Sequence, residues 1–114
     1  MNRRKAQDKK QLLIQTRSRH YNLDQSTIFY LESRGKKVEI HTLGETIEVY
    51  ASISRLEEQL GNSFYRCHRG YLVALAAIIG YDHDSITVGQ GDRIYLAKQK
   101  YGEFVKLYCR FLKE

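Results

Sequence analysis

The stretch Lys37-Val38-Glu39-Ile40-His41-Thr42-Leu43-Gly44-Glu45-Thr46-Ile47-Glu48-Val49-Tyr50 decides the fold class. Apolar and polar residues alternate with period two on both sides of Gly44, the pattern of strands that bury one face. Val38, Ile40 and Thr42 share a face of the first arm, and Ile47 and Val49 are the inward positions of the second. Gly44-Glu45 fits a two-residue hairpin loop, because glycine at the first loop position accepts a positive φ. A β-hairpin is therefore predicted over residues 37–50.

Upstream of the hairpin, Thr27-Ile28-Phe29-Tyr30-Leu31-Glu32 is rich in β-branched and aromatic residues and reads as a strand. Ser33-Arg34-Gly35-Lys36 then breaks the pattern as a turn. Leu12-Leu13-Ile14 opens an earlier strand, and residues 1–11 read as a linker or disordered basic tail. The folded domain is expected over residues 12–114.

Downstream, Ser54 and Glu57 have the spacing of a capping box, with Leu56 and Leu60 on one helical face and Gly61 as the stop. This predicts a short helix over 53–60. The nine apolar residues Tyr71-Leu72-Val73-Ala74-Leu75-Ala76-Ala77-Ile78-Ile79 end at Gly80 and have the length of a buried strand, too short to span a bilayer. Ser85-Ile86-Thr87-Val88 and Arg93-Ile94-Tyr95-Leu96 flank Gly89-Gln90-Gly91-Asp92 as a second hairpin. The period then changes: Tyr101, Phe104, Val105, Tyr108, Phe111 and Leu112 recur at helical spacing. A mostly-β domain with one short helix in mid-chain and a C-terminal helix follows.

At 114 residues the chain suits one domain. Its 42% hydrophobic and 28% charged residues are those of a globular protein rather than a disordered one. The net charge of +6 is mainly a tail effect: residues 1–10 hold five basic residues and one acid, leaving 14 basic and 12 acidic residues beyond. The basic start is not followed by an apolar segment, so it does not read as a secretory signal. Cys67 and Cys109 are too far apart for a zinc motif and too few for a disulfide framework, so reduced thiols in a cytoplasmic protein are expected. Arg66, His68 and Arg69 around Cys67 raise a redox role as the alternative.

The residues do not converge on an enzyme site. His20, His41, His68 and His83 show no metal-ligand spacing. Asp82-His83-Asp84 is the most metal-like triplet, but it falls in a turn, and no metal or cofactor is expected. Cys67 and His68 are adjacent on an extended segment and point to opposite faces, which unfits them as a catalytic pair. Charge placement is more informative. Arg34-Gly35-Lys36-Lys37, Arg66-Cys67-His68-Arg69 and Lys98-Gln99-Lys100 are basic, acid-free and at the edges of predicted elements. They hold seven of the 14 basic residues beyond position 10. Long cationic side chains suit phosphates, and projecting Arg, Lys or Gln suit base edges. The pattern serves a nucleic-acid surface if the three segments share a face.

The run Phe64-Tyr65-Arg66-Cys67-His68-Arg69-Gly70-Tyr71-Leu72-Val73 resembles the LytTR DNA-binding domain family, which carries a run close to Phe-x-Arg-x-His-Arg-Ser-Tyr-Leu-Val-Asn. Ile28–Ser33 resembles that family's early strand, the 37–50 hairpin and the 53–60 helix follow in order, and Leu96-Ala97-Lys98 resembles its closing strand. The likeness extends over residues 12–112. It implies an elongated stack of small antiparallel sheets that reads duplex DNA through loops between strands. It also implies an output domain of a bacterial two-component response regulator, joined to an N-terminal receiver domain and binding promoter direct repeats as a homodimer. Carried over by position, the DNA-facing residues are Arg34, Lys36 and Lys37, then Arg66, His68 and Arg69, then Lys98, Gln99 and Lys100. Arg69 is the leading base reader, with Lys36 and Gln99 beside it. Arg34, Lys37, Lys98 and Lys100 suit phosphates, and His68 suits a loop-orienting role.

Gly70, Ala74 and Ala97 depart from the family's usual serine, asparagine and serine, which removes polar groups from the loops. Those departures support one alternative, a protein-interaction domain that has lost DNA binding. Nine tyrosines support another, a single-stranded nucleic-acid module.

Overall fold

A computed structural model describes residues 10–114. Ten strands and two α-helices are present among them: β1 (Gln11–Gln15), β2 (His20–Asp24), β3 (Ile28–Arg34), β4 (Lys37–Thr42), β5 (Glu45–Tyr50), α1 (Ile53–Leu60), β6 (Phe64–His68), β7 (Tyr71–Ala74), β8 (Ile78–Tyr81), β9 (Ser85–Val88), β10 (Arg93–Tyr95) and α2 (Tyr101–Lys113). The strands form three antiparallel sheets. One pairs β1 with β2, a central one runs β5-β4-β3-β7-β6, and the third runs β10-β9-β8. The mostly-β stack with a mid-chain and a C-terminal helix is therefore borne out.

The central sheet is buried on one face throughout and on the other where β3, β7 and β6 meet the third sheet; the second face of β5 is exposed. Leu31, Val38, Ile40, Ile47, Val49 and Leu72 face β1, β2 and α1 and form one core. Tyr30, Tyr65, Cys67 and Val73 face the third sheet and α2, where Ile86, Val88, Ile94 and Phe104 complete a second. Successive residues Tyr30 and Leu31, and Leu72 and Val73, thus serve opposite cores, as the two-residue period of a strand requires. A bulge at Phe29 shifts the register between Ile28 and Tyr30, which keeps Ile28 in the first core three residues before Leu31.

The structure corrects several expectations. The 37–50 hairpin pairs as predicted, Val38 with Val49 and Ile40 with Ile47, but its loop is Leu43-Gly44, since Thr42 pairs with Glu45 and Gly44 takes φ +101°. Ser33 and Arg34 continue β3, leaving Gly35-Lys36 as the turn. Gln11, assigned to the linker, opens β1; residues 1–9 lie outside the described residues. β2 has no counterpart in the sequence-based prediction, because His20-Tyr21-Asn22-Leu23-Asp24 lies over the edge of the first core and only Tyr21 and Leu23 pack on it.

The run Tyr71–Ile79 is not one strand. β7 ends at Ala74, a single 3-10 turn spans Leu75–Ala77, and β8 begins at Ile78 in a different sheet. The crossover itself lies between the two cores, with Leu75 buried and Ala77 packed against both, so its residues are as apolar as the strands they join.

Helix α1 occupies the predicted residues but is capped two residues earlier. Ser52 Oγ accepts from Arg55 N–H at 3.4 Å, and Ser54 and Glu57 instead face the Arg66 guanidinium. In α2, Phe104 is fully buried, whereas Leu112 projects into solvent and Leu107 packs on the core in its place.

Candidate nucleic-acid interface

Three turns meet at one end of the central sheet. The β3–β4 turn carries Arg34, Gly35, Lys36 and Lys37; the β6–β7 turn carries Arg69 and Gly70; the segment after β10 carries Ala97, Lys98, Gln99 and Lys100. Two backbone hydrogen bonds join them. Ser33 N–H donates to Gly70 O at 2.9 Å, and Ala97 N–H donates to Cys67 O at 2.8 Å. The three basic segments are thereby brought to one place from about a third, two thirds and the last sixth of the chain. Arg66, His68, Arg69, Lys98, Gln99 and Lys100 line a shared depression.

The nine candidate residues divide by what they touch. Lys36, Arg69, Lys98 and Gln99 are exposed. Arg34 is also exposed, at 57%, with its guanidinium 3.7 Å from Glu39 and 3.9 Å from Glu32. Lys37 pairs with Glu48 at 3.3 Å and lies over the Tyr50 ring, and the Glu48 carboxylate holds its pKa above the ordinary lysine value.

The other three support the middle turn. Arg66 Nη2 and Nε both donate to Arg69 O, at 2.6 and 3.2 Å, and Nη1 donates to Glu57 Oε1 at 2.8 Å. Such a fork needs the planar guanidinium, which presents several N–H groups in fixed directions. Lys100 Nζ donates to Arg66 O at 2.7 Å and lies 5.8 Å from the Tyr65 ring centre. His68 Nδ1 accepts from Gly70 N–H at 3.0 Å. Burial, and then the nearby charges of Arg69, Lys100 and Arg66, hold the His68 pKa below the ordinary histidine value. The imidazole is consequently neutral at pH 7, with its proton on Nε2.

Tyr95 belongs to this surface and was not among the candidates. It is 64% exposed, its ring lies 5.8 Å from that of His68 and 6.0 Å from that of Tyr71, and it lines a second depression with Arg69 and Ser33. The alternation of Arg93-Ile94-Tyr95-Leu96 carries the signal: inward Ile94 and Leu96 oblige Tyr95 to point outward.

Two groups singled out in the sequence, Cys67 and the Asp82-His83-Asp84 triplet, have structural roles. Cys67 is completely buried, and burial pushes its thiol up to about 12, which overturns the redox alternative. Asp82 Oδ1 accepts from the N–H groups of Asp84 and Ser85 and from Ser85 Oγ, while Oδ2 pairs with Arg93 at 3.2 Å. That carboxylate closes the β8–β9 turn, and His83 stacks on Tyr101 at 4.5 Å. No helix among the described residues is long and apolar enough to cross a membrane.

Comparison with known proteins agrees with this architecture. No curated protein matches the sequence. Among solved structures, the chain is similar to the LytTr DNA-binding domain of a protein described as a methyl-accepting/DNA response regulator from Bacillus cereus. The TM-score is 0.72 at 25% identity, over 87% of this chain and 96% of that one. The family model for the LytTr DNA-binding domain matches residues 8–108, which include all three basic turns and the sheet that carries them, and the chain belongs to that family.

Proposed function

We propose that this domain binds duplex DNA sequence-specifically, through the three turns at the end of its central sheet, as the output domain of a bacterial response regulator. The observation that carries the reading is the pair of hydrogen bonds, Ser33 to Gly70 and Ala97 to Cys67, that gathers three basic segments into one surface. In this reading Arg69 reads guanine, because a guanidinium can bind O6 and N7 together. Lys36 and Gln99 reach neighbouring base edges, and Arg34 and Lys98 neutralise phosphates. Arg66, His68 and Lys100 hold the Arg69 turn in shape. Lys37 contributes charge while paired to Glu48. The full-length protein carries an N-terminal receiver domain, and two copies occupy direct repeats in a promoter.

The test is fluorescence anisotropy with a labelled pool of bacterial promoter duplexes, excess nonspecific competitor and two salt concentrations. The reading predicts a subset of duplexes that survives competition, with affinity falling as salt rises. Preference for single strands replaces it with the stacking reading, and absence of binding to any duplex by the folded protein ends it.

A further inference from the structure

Outside the DNA-facing turns, three side chains converge on the face of the central sheet opposite its first core. Glu32 and Glu39 are register partners on β3 and β4, and His41 lies two residues beyond Glu39 on the same face. His41 Nε2 is 3.2 Å from Glu39 Oε1 and 3.9 Å from Glu32 Oε1. One donor atom from each residue lies within 4.8 Å of the other two. The three side chains are only 19–24% exposed.

The atoms that do not converge are anchored from behind. His41 Nδ1 is 3.3 Å from Thr46 Oγ1, and the imidazole stacks on Tyr30 with centroids 4.2 Å apart and planes 10° apart. Tyr71 O–H donates to Glu32 Oε2 at 3.3 Å. Arg34 lies against Oε2 of both carboxylates. Each carboxylate thus turns one oxygen towards Arg34, with Tyr71 also holding that of Glu32, and the other inward to His41. Outer partners of this kind orient the ligands of metal sites.

A second observation concerns the imidazole. Nε2 is shielded from solvent and has no hydrogen-bond partner. It approaches Glu39 at an ion-pair distance of 3.2 Å without the alignment of an N–H···O bond, so no hydrogen bond satisfies this buried atom. Nε2 faces one oxygen of each of two carboxylates, an arrangement that a cation would bridge. The 3.2 Å separation matches the edge of about 3.3 Å of a tetrahedron with metal–ligand bonds of about 2.0–2.1 Å, whereas the 3.9 Å separation requires Glu32 to move inward when an ion binds.

We propose that Glu32, Glu39 and His41 form a binding site for a divalent transition-metal ion of the zinc type. One imidazole nitrogen and two carboxylate oxygens supply three ligands, and water supplies the fourth. The imidazole selects against magnesium and calcium, which take oxygen ligands. The charges permit it: two carboxylates are offset by a single guanidinium, Arg34, so a dication enters a site with net negative charge. The site lies directly behind the first basic turn and shares Arg34 with it, and zinc binding is read without DNA present.

The test is a calorimetric titration of the full chain with zinc chloride at pH 7.5, alongside His41→Gln, Glu39→Gln and Cys109→Ser variants. One equivalent binds with a dissociation constant on the order of micromolar. His41→Gln and Glu39→Gln each weaken it roughly 10-fold or more, whereas Cys109→Ser, an exposed thiol outside the site, leaves it unchanged. NMR of the wild-type protein decides the matter even where a variant fails to fold: at one equivalent the His41 ring signals shift and those of His20 and His83 do not. Absence of stoichiometric binding, binding that survives His41→Gln in a folded variant, or a response at other histidines overturns the proposal.

Discussion

The guanidinium of Arg66 donates two hydrogen bonds to the carbonyl oxygen of Arg69, three residues further along the same turn, while its third nitrogen reaches Glu57 on α1. One basic side chain is spent on holding another in place. Arg66→Ala is expected to lower unfolding free energy by about 1.5–3 kcal/mol, the range for hydrogen bonds to charged groups, measured by urea denaturation. Arg66→Lys should recover little of it, because a point ammonium cannot replace the fork.

Arg69 carries the opposite expectation. It is exposed and its side chain makes no hydrogen bond or ion pair among the described residues, so Arg69→Ala should leave the melting temperature unchanged. In competition anisotropy the same variant should weaken binding to the preferred duplex by about 1–3 kcal/mol and relax sequence preference. Lys98→Ala should instead weaken binding to all duplexes alike and reduce the salt slope by about one. Equal losses from the two variants would remove the distinction between reader and anchor.

His68 sets a pH dependence with a definite sign. Its folded-state pKa is depressed, chiefly by burial and then by Arg69, Lys100 and Arg66. Below the unfolded value of about 6.5 the unfolded chain binds the proton more readily than the fold does. The contribution of His68 is therefore present above that value and lost as pH falls through it towards the folded pKa. Denaturation of wild type and His68→Gln at pH 7.5 and 5.5 isolates the term: the wild type should lose more stability than the variant on acidification.

Gly70 tests the meaning of the family departure. A Cβ at this position would lie 3.5 Å from His68 Nδ1, an ordinary contact, and the backbone is not in the left-handed region. Gly70→Ser should change stability by no more than about 0.5 kcal/mol. Its hydroxyl, placed beside Arg69, should raise duplex affinity measured by anisotropy. A stable variant with reduced affinity would show that the turn is adapted to glycine.

The two thiols should differ sharply in reactivity. Cys109 is exposed, whereas Cys67 is buried in the second core with its thiol pushed up to about 12. Thiol titration of the native protein should count one rapid equivalent, and the second only after unfolding. Rapid modification of both would contradict the packing of β6 against the third sheet.

Where structure is local, the sequence determined it. The 37–50 hairpin was legible because side-chain period acts within 14 residues, although its loop lies one residue earlier than predicted, and α1 because its buried face repeats within eight. The basic segments were legible as composition, and the resemblance around residues 64–73 identified the family. Tertiary structure decided the rest, for reasons no local pattern encodes. The run 71–79 looks uniform because strand and crossover are buried alike, yet it serves two sheets. Ser54 and Glu57 have the spacing of a cap, but a guanidinium from β6 claims them. Arg66 and Lys100 look like Arg69 and Lys98 in one dimension; only the fold shows that the first pair is spent on backbone carbonyls. Glu32, Glu39 and His41 have no metal-ligand spacing because their convergence is set by strand register, a long-range property that sequence neighbours do not reveal.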